Sequence, residues 1–296
     1  MSPAALGLVL VSVCLHAGWN LLGKRRAPSL AFFTLAIAAG GLAFSPLLLL
    51  GPPLASLPAS FWGWLAASGL CQMLYMGGLA WAYARGEVSV LYPLARALPV
   101  VLVPLVAVGL LGSHELAGGD LAGMGLILAG ALCLPLAGVP RLASYLTPAL
   151  GFALLAALAT AGYSLIDARA LGLMVNTGMT PLAAGAVFMV LQALVTPLWA
   201  LPLLLIMPSE RRRLPVLWAE ERLGLLVTGL MITATYGLVL VALAQSDSVS
   251  HIVALRQLSI PLGVMLGILW LRERAAPAKL VGTAIMLAGL WLVALD

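Results

Sequence analysis

Apolar runs of about 20 residues, the length that crosses a hydrocarbon core as a helix, follow one another along the whole chain with only brief polar breaks. Cutting at charges, prolines and glycine-rich breaks gives ten of them: 4–22, 29–50, 61–84, 89–111, 119–138, 149–171, 180–207, 223–244, 249–271 and 277–295. Hydrophobic residues make up 63% of the 296 and charged residues 8%, against roughly a quarter charged in a soluble domain. A water-soluble globule has no place to hide that much apolar side chain. Lipid removes the difficulty, and helices satisfy their own backbone groups there. An outer-membrane barrel would need alternating strands of about ten residues, and no such alternation is present. The expected fold is all-α, a polytopic membrane protein of ten transmembrane helices. The one longer connection, 207–222, carries Glu210, Arg211, Arg212, Arg213, Glu220 and Glu221.

The net charge of +5 is not a nucleic-acid signal, because the basic residues sit singly or in short clusters between apolar runs. Twelve of the 15 fall after the first, third, fifth, seventh and ninth runs: Lys24, Arg25, Arg26, Arg85, Arg141, Arg211, Arg212, Arg213, Arg222, Arg272, Arg274 and Lys279. The positive-inside rule then puts the odd-numbered loops in the cytoplasm and both termini on the periplasmic side of an inner membrane. Lys24-Arg25-Arg26 follows the first run rather than preceding it, so that run reads as a span and not as a cleavable leader. Cys14, Cys71 and Cys133 lie in apolar segments without metal or redox spacing and read as small packing residues. No HExxH, GxSxG or Walker lysine loop occurs. The chain is therefore not expected to be an enzyme, and no catalytic residue, metal site or cofactor is expected.

The chain repeats itself. Residues 7–25 read GLVLVSVCLHAGWNLLGKR and residues 151–169 read GFALLAALATAGYSLIDAR, so Ala17-Gly18-Trp19-Asn20 faces Ala161-Gly162-Tyr163-Ser164. Farther on, Leu94-Ala95-Arg96-Ala97-Leu98 matches Ala254-Leu255-Arg256-Gln257-Leu258, and GMGLILAG from Gly123 matches GTAIMLAG from Gly282. Two units follow, 1–140 and 141–296, of five helices each. An odd number makes them enter the membrane in opposite senses, the inverted-repeat plan of many secondary transporters.

The stretch SVLYPLARALPVVLVPLVAVGLLGSHEL from Ser89, followed by GMGLILAG, resembles the end of an EamA domain. SHIVALRQLSIPLGVMLGILWLRERAAPAKLVGTAIMLAGLWLV from Ser250 resembles the end of a second one. The chain as a whole thus resembles the ten-helix members of the drug/metabolite transporter superfamily. That resemblance implies a central substrate cavity enclosed mainly by helices one, three, four, six, eight and nine, with the fifth and tenth peripheral.

Arg96 and Arg256 are the sharpest individual signal. Each lies about seven residues into an apolar helix, where a charge costs at least ~2.5 kcal/mol and ordinarily faces a bundle interior or wet cavity. Two readings stand. The pair holds a carboxylate or phosphate through forked hydrogen bonds, or each arginine ties off helix-end groups and acids such as Glu87 and Asp247, which occupy matched positions nine residues before them. His16, Trp19 and Asn20 share one face of the first helix at i, i+3, i+4, and Tyr163 and Ser164 hold the equivalent stripe on the sixth. Tyr75 and Tyr92 flank the first arginine in sequence, and Tyr236 lies near the position matching Tyr75. His251 precedes Arg256 by five residues and is placed toward the outer entrance. Gln72 and Gln192 are lesser polar candidates. Tyr83, Trp62, Trp64, Trp218 and Trp270 read as an interfacial belt. Gly119-x-x-x-Gly123 and Gly263-x-x-x-Gly267 read as close-packing faces, and Pro93, Pro99, Pro104 and Pro261 as kinks.

The functional expectation is a secondary carrier of a small polar metabolite, amino-acid-like or anionic or phosphorylated, working by alternating access across the inner membrane. A proton or a counter-substrate would drive it, with His16, Asp167 and Glu87 as titratable candidates. Its partners would be that small molecule and the lipid bilayer, and either a monomer or a homodimer fits. If the arginines pair with acids, an exporter of amines or drug-like cations through a neutral aromatic cavity becomes the better reading. A membrane sensor or scaffold is the reading from a different class.

Overall fold

The computed structural model describes residues 3–23, 29–85, 88–111, 118–134, 148–246, 248–269 and 275–295. Among them every regular element is helical. The first half supplies α1 (Pro3–Gly23), α2 (Leu30–Ala43), α3 (Ala59–Tyr83), α4 (Val88–Leu111) and α5 (Gly118–Cys133). The second supplies α6 (Pro148–Asn176), α7 (Pro181–Ile206), α8 (Pro208–Glu220), α9 (Arg222–Leu243), α10 (Val249–Leu255), α11 (Ser259–Leu269) and α12 (Pro277–Leu295). Each apolar run read from the sequence overlaps a helix, the second running on into a 3-10 turn and the ninth divided between α10 and α11. Five segments among the described residues are long and apolar enough to cross a membrane: Pro148–Asn176, Pro181–Ile206, Arg222–Leu243, Val249–Leu269 and Pro277–Ala294. Shorter apolar helices include Pro3–Ala17, Leu30–Ala43, Ala95–Val108 and Gly118–Cys133. The protein is a helical membrane protein.

Three sequence expectations need correction. The connection 207–222 is itself a helix, α8, with Pro208 at its start and Glu210 in its first turn. Glu210, Leu214 and Leu217 turn toward the bundle while Arg211, Arg212 and Arg213 are exposed. The buried Glu210 Oε2 accepts from the Ala31 N–H at 2.9 Å, so α8 neutralises a free donor at the start of α2, where the helix dipole favours negative charge. The second run also stops early. α2 ends at Ala43 and gives way to the 3-10 turns Ser45–Leu50 and Leu54–Ser56, in a stretch holding Pro46, Pro52 and Pro53. Finally, the helix carrying Arg256 is interrupted by a 3-10 turn, Arg256–Leu258. Pro261 lacks the N–H that would bond back to Gln257, which accounts for a break on its N-terminal side. By contrast, α4 remains continuous through Pro93, Pro99 and Pro104.

Nearly all the packing that builds the core joins the two halves. α3 runs along α6 and α1 along α9; α2 packs on α7 and α9, α3 on α7, α4 on α6, and α1 on α11. α5 and α12 form a pair of their own beside α4 and the α10–α11 segment. That pair meets in a backbone-to-backbone seam, as α2 and α9 do where a Cβ at Gly229 would collide with the Ala36 carbonyl oxygen. A Cβ at Gly123 would sit 2.7 Å from the Gly289 carbonyl oxygen, and one at Gly130 would sit 2.6 Å from that of Gly282. The register, Gly123 on Gly289 and Gly130 on Gly282, makes the two helices antiparallel. The close approach is thus carried by glycines seven apart, and not by Gly263, around which a Cβ would meet nothing within 4 Å.

Substituting Gly130 by valine should therefore lower the melting temperature of the detergent-solubilised protein, at a cost of about 1–3 kcal/mol from overpacking. Gly263→Ala should be neutral or stabilising by up to about 1 kcal/mol, since it removes a helix-interior glycine without a clash. Equal losses for both would contradict the assignment of the seam.

Candidate functional site

A partly open cavity of about 30 Å³ lies in the middle of the bundle. α1 contributes Ser12, Val13 and His16; α3 contributes Gln72, Tyr75 and Met76. Arg96 reaches in from α4, Tyr163 from α6, and Ile232, Thr235 and Tyr236 from α9. Arg256, on the 3-10 turn between α10 and α11, completes the wall. The two arginines that the repeat pairs in sequence thus line one cavity, each from its own half of the chain.

Their settings differ. Arg96 is buried, and its Nη1 donates to His16 Nε2 at 2.6 Å while Nη2 donates to Ser259 Oγ at 2.9 Å. A guanidinium only donates, so His16 Nε2 must carry the lone pair in this bond. Ser259 Oγ in turn donates to the Arg256 carbonyl at 2.9 Å, which ties the Arg96 side chain to the backbone of its counterpart. Arg256 is half-buried, and its guanidinium lies over the Tyr236 ring, 5.2 Å from the centroid. Among the described residues no carboxylate lies within ion-pair distance of it.

The tyrosines form a continuous wall. Tyr75 meets Tyr163 edge-on with centroids 5.9 Å apart, and Tyr163 meets Tyr236 in the same way at 5.4 Å. Both geometries match the quadrupole preference of aromatic pairs. Behind that wall lies Asp167 of α6, wholly buried. Tyr236 donates its hydroxyl to Asp167 Oδ2 at 2.5 Å, Gln192 Nε2 of α7 donates to the same oxygen at 3.0 Å, and Ser68 Oγ of α3 donates to Oδ1. Gln192 Nε2 also donates to Ser68 Oγ at 2.6 Å. One carboxyl therefore gathers polar side chains from three other helices. Sequence reasoning named Asp167 only as a titratable group and missed this assembly. Its partners lie 99, 25 and 69 residues away in the chain, so no local periodicity marks them.

The remaining sequence candidates divide. His16, Tyr75, Tyr163, Tyr236, Arg96 and Arg256 all line the cavity, and so does Gln72. His251 does not. It lies about 140° around the helix from Arg256 and pairs instead with Asp120 of α5, Nε2 to Oδ1 at 2.8 Å, with its Nδ1 on Ser248 Oγ at 2.7 Å. That is a link between α10 and α5, not a cavity group. The side chains of Trp19, Asn20, Tyr83 and Tyr92, and residues Glu87, Asp247 and Trp270 as a whole, lie outside the described residues. No cluster of metal ligands occurs among the described residues.

Removing the acceptor at the centre of the Asp167 network should be far more damaging than removing one donor. Asp167→Ala leaves buried donors unpaired and should cost about 2–4 kcal/mol of stability, against about 1 kcal/mol for Ser68→Ala. Melting of the solubilised protein checks this, and similar values for the two variants would show that Asp167 does not organise the cluster.

No family model and no curated protein matches this chain. Among solved structures, 26 chains match. One of them, described only as "Crystal structure of protein", is similar at 17% sequence identity over 100% of this chain and 99% of that chain, with a TM-score of 0.72. At that identity the likeness is one of fold, extending over the full length of both chains.

Proposed function

We propose that this protein is a secondary carrier that moves a small metabolite with an anionic group across a membrane by alternating access. The observation that carries the reading is the convergence of Arg96 and Arg256, one from each half, on a single central cavity. A cation in a low-dielectric chamber is expensive unless it serves a counter-charge. Arg256, stacked on Tyr236 with no carboxylate at ion-pair distance among the described residues, is the group that a substrate carboxylate or phosphate would neutralise. Arg96, oriented by His16 and Ser259, offers a second guanidinium from the other side.

The carrier architecture we propose is ten transmembrane helices in two inverted five-helix repeats, as in the drug/metabolite transporters that the sequence resembles. Packing supports it. Exchanging α1 with α6, α2 with α7, α3 with α9, α4 with α10–α11 and α5 with α12 preserves most of the main contacts: α1 on α9 becomes α6 on α3, and α2 on α9 becomes α7 on α3, although α7 packs on α9 more than α2 does on α3. The α5–α12 seam maps onto itself, Gly123 on Gly289 becoming Gly282 on Gly130. An inner-membrane location with both termini periplasmic follows from the distribution of Lys and Arg. The exposed Arg211, Arg212, Arg213 and Arg222 around α8 suit a cytoplasmic face. The chain carries no nucleotide-binding motif, so the driving force would be a proton or a counter-substrate.

The tyrosine wall favours a second reading, export of amines or apolar cations, because aromatic faces attract cations. Tyr236 already stacks on Arg256, however, which leaves less of the wall for that role.

A thermal-shift screen of the purified protein against amino acids, organic phosphates, phosphonates and amines separates the readings, since a ligand of the native state raises its melting temperature by mass action. Anionic or zwitterionic compounds should shift the wild type, and Arg256→Gln should weaken them about 10- to 100-fold, the value of a charge-assisted hydrogen bond. Counterflow of the same compounds in proteoliposomes should fall in parallel. Undiminished binding in a folded Arg96→Gln/Arg256→Gln double variant would overturn the anion site.

A further inference from the structure

A second, smaller chamber of about 20 Å³ adjoins the first and shares Gln72, Ile232 and Tyr236 with it. It extends toward α7, where Gln192 and Thr196 line it, and carries Thr233 from α9. Among the described residues, no arginine or lysine is in its lining. Thr196 donates its hydroxyl to the Gln192 carbonyl at 2.8 Å, whereas two other side chains of the lining have oxygens that lack partners. Gln72 Oε1 and Thr233 Oγ1 are buried and find no hydrogen-bond partner among the described residues, and both side chains are more than nine-tenths buried. Thr235 Oγ1, on the wall of the first chamber, is in the same condition.

The orientation of Gln192 adds a third acceptor, and it follows from Asp167 standing as a carboxylate. Asp167 Oδ2 faces the Gln192 amide at 3.0 Å, and Ser68 Oγ, whose own proton goes to Asp167 Oδ1, faces it at 2.6 Å. Both partners accept, so the NH₂ end must point at them. The amide donors are thereby committed to the Asp167 network. Gln192 Oε1 accepts no hydrogen bond among the described residues and is the end left for the chamber. Tyr236 is committed likewise, its hydroxyl proton going to Asp167. The carboxyl group stands directly behind two of the residues that wall the chamber.

An oxygen buried without a partner costs free energy in the empty protein, roughly 1–3 kcal/mol each, and is retained where something binds to it. Here the groups are acceptors, at one end of a cavity whose other end presents guanidinium donors. We infer that the second chamber is a subsite for the protonated amine of the substrate, which makes the transported molecule a zwitterion, with its anionic group at Arg256 and its ammonium group among Gln72, Gln192 and Thr233. An ammonium group has three N–H donors and no acceptor, and the residues around the chamber carry three side-chain oxygens able to accept, those of Gln72, Gln192 and Thr233, with Asp167 bonded to Gln192. This rests on the anion site proposed above and extends it by naming the opposite pole.

The test uses the solubilised full-length protein and calorimetric titration with matched pairs of probes: glycine, β-alanine and γ-aminobutyrate against acetate, propionate and butyrate. The inference requires that at least one aminated probe binds about tenfold or more tighter than its unaminated partner. Gln72→Leu and Thr233→Val should each shrink that advantage while leaving the unaminated probe unaffected. Without ligand, both variants should melt at or above the wild-type temperature, because each deletes an unpaired buried oxygen. That last readout separates a ligand group from a structural one, and a clear drop in melting temperature would overturn the assignment. So would aminated and unaminated probes binding alike to the wild type; if Arg256→Gln weakens both, the subsite fails and the anion site stands. If no carboxylate or organic phosphate binds the wild type at all, the anion site fails and takes the zwitterion with it.

Discussion

In an apolar solvent a buried carboxyl group has to find its hydrogen bonds inside the protein, and the interior of this bundle is arranged around one such group. Asp167 on α6 draws Ser68 from α3, Gln192 from α7 and Tyr236 from α9. Four helices from both halves thus meet at two oxygen atoms. Hydrophobic burial cannot supply that convergence, because lipid tails are as apolar as the leucines and valines of the helices and reward no one contact over another. The polar cluster supplies direction instead. It sets the rotamer of Tyr236, on which the Arg256 guanidinium rests, and it decides which way the Gln192 amide faces. The Arg256 guanidinium and the buried acid are therefore separated by a single side chain.

Helix packing and this cluster divide the labour. The outer seam of α5 and α12 is backbone on backbone, with glycine at each crossing. The inner helices α1, α3, α4, α6 and α9 carry nearly all the large polar side chains of the cavity. Small residues recur where these inner helices approach most closely as well: Gly78 of α3 would, with a Cβ, lie 2.9 Å from the Phe152 carbonyl oxygen of α6. Close seams bring the polar side chains within bonding range of one another, and those bonds hold the register that the seams permit.

Much of this was legible in the sequence, for physical reasons that can be named. Helix existence follows from the length and apolarity of each run, and the convergence of Arg96 with Arg256 follows from the cost of placing a charge in lipid. His16, Tyr75, Tyr163 and Tyr236 were found through helical spacing or through the repeat. The Asp167 assembly was not, since Ser68 and Gln192 read singly as unremarkable polar residues on apolar helices. Helix α8 was missed because Pro215 and a run of arginines resemble a solvated loop, although Pro208 at the first helical position with Glu210 two residues on was a usable start signal. His251, five residues before Arg256, was placed toward the outer entrance of the cavity, and its partner Asp120, 131 residues away in the chain, carried no sequence signal. Gly263 was read as a contact face from its spacing, which cannot tell which side of a helix has a neighbour.

The glycine seam also restricts how the molecule can deform. Its two notches lie seven residues apart on each helix, about 10.5 Å along the axis. Between them both helices present side chains, and a slide of one turn would drive a Cβ into a carbonyl at each crossing. Translation along the seam is therefore blocked in both directions, much as a key is held by its wards, while rotation about the contact leaves both notches engaged. In any rearrangement of the bundle, α5 and α12 can take part only as a pivot.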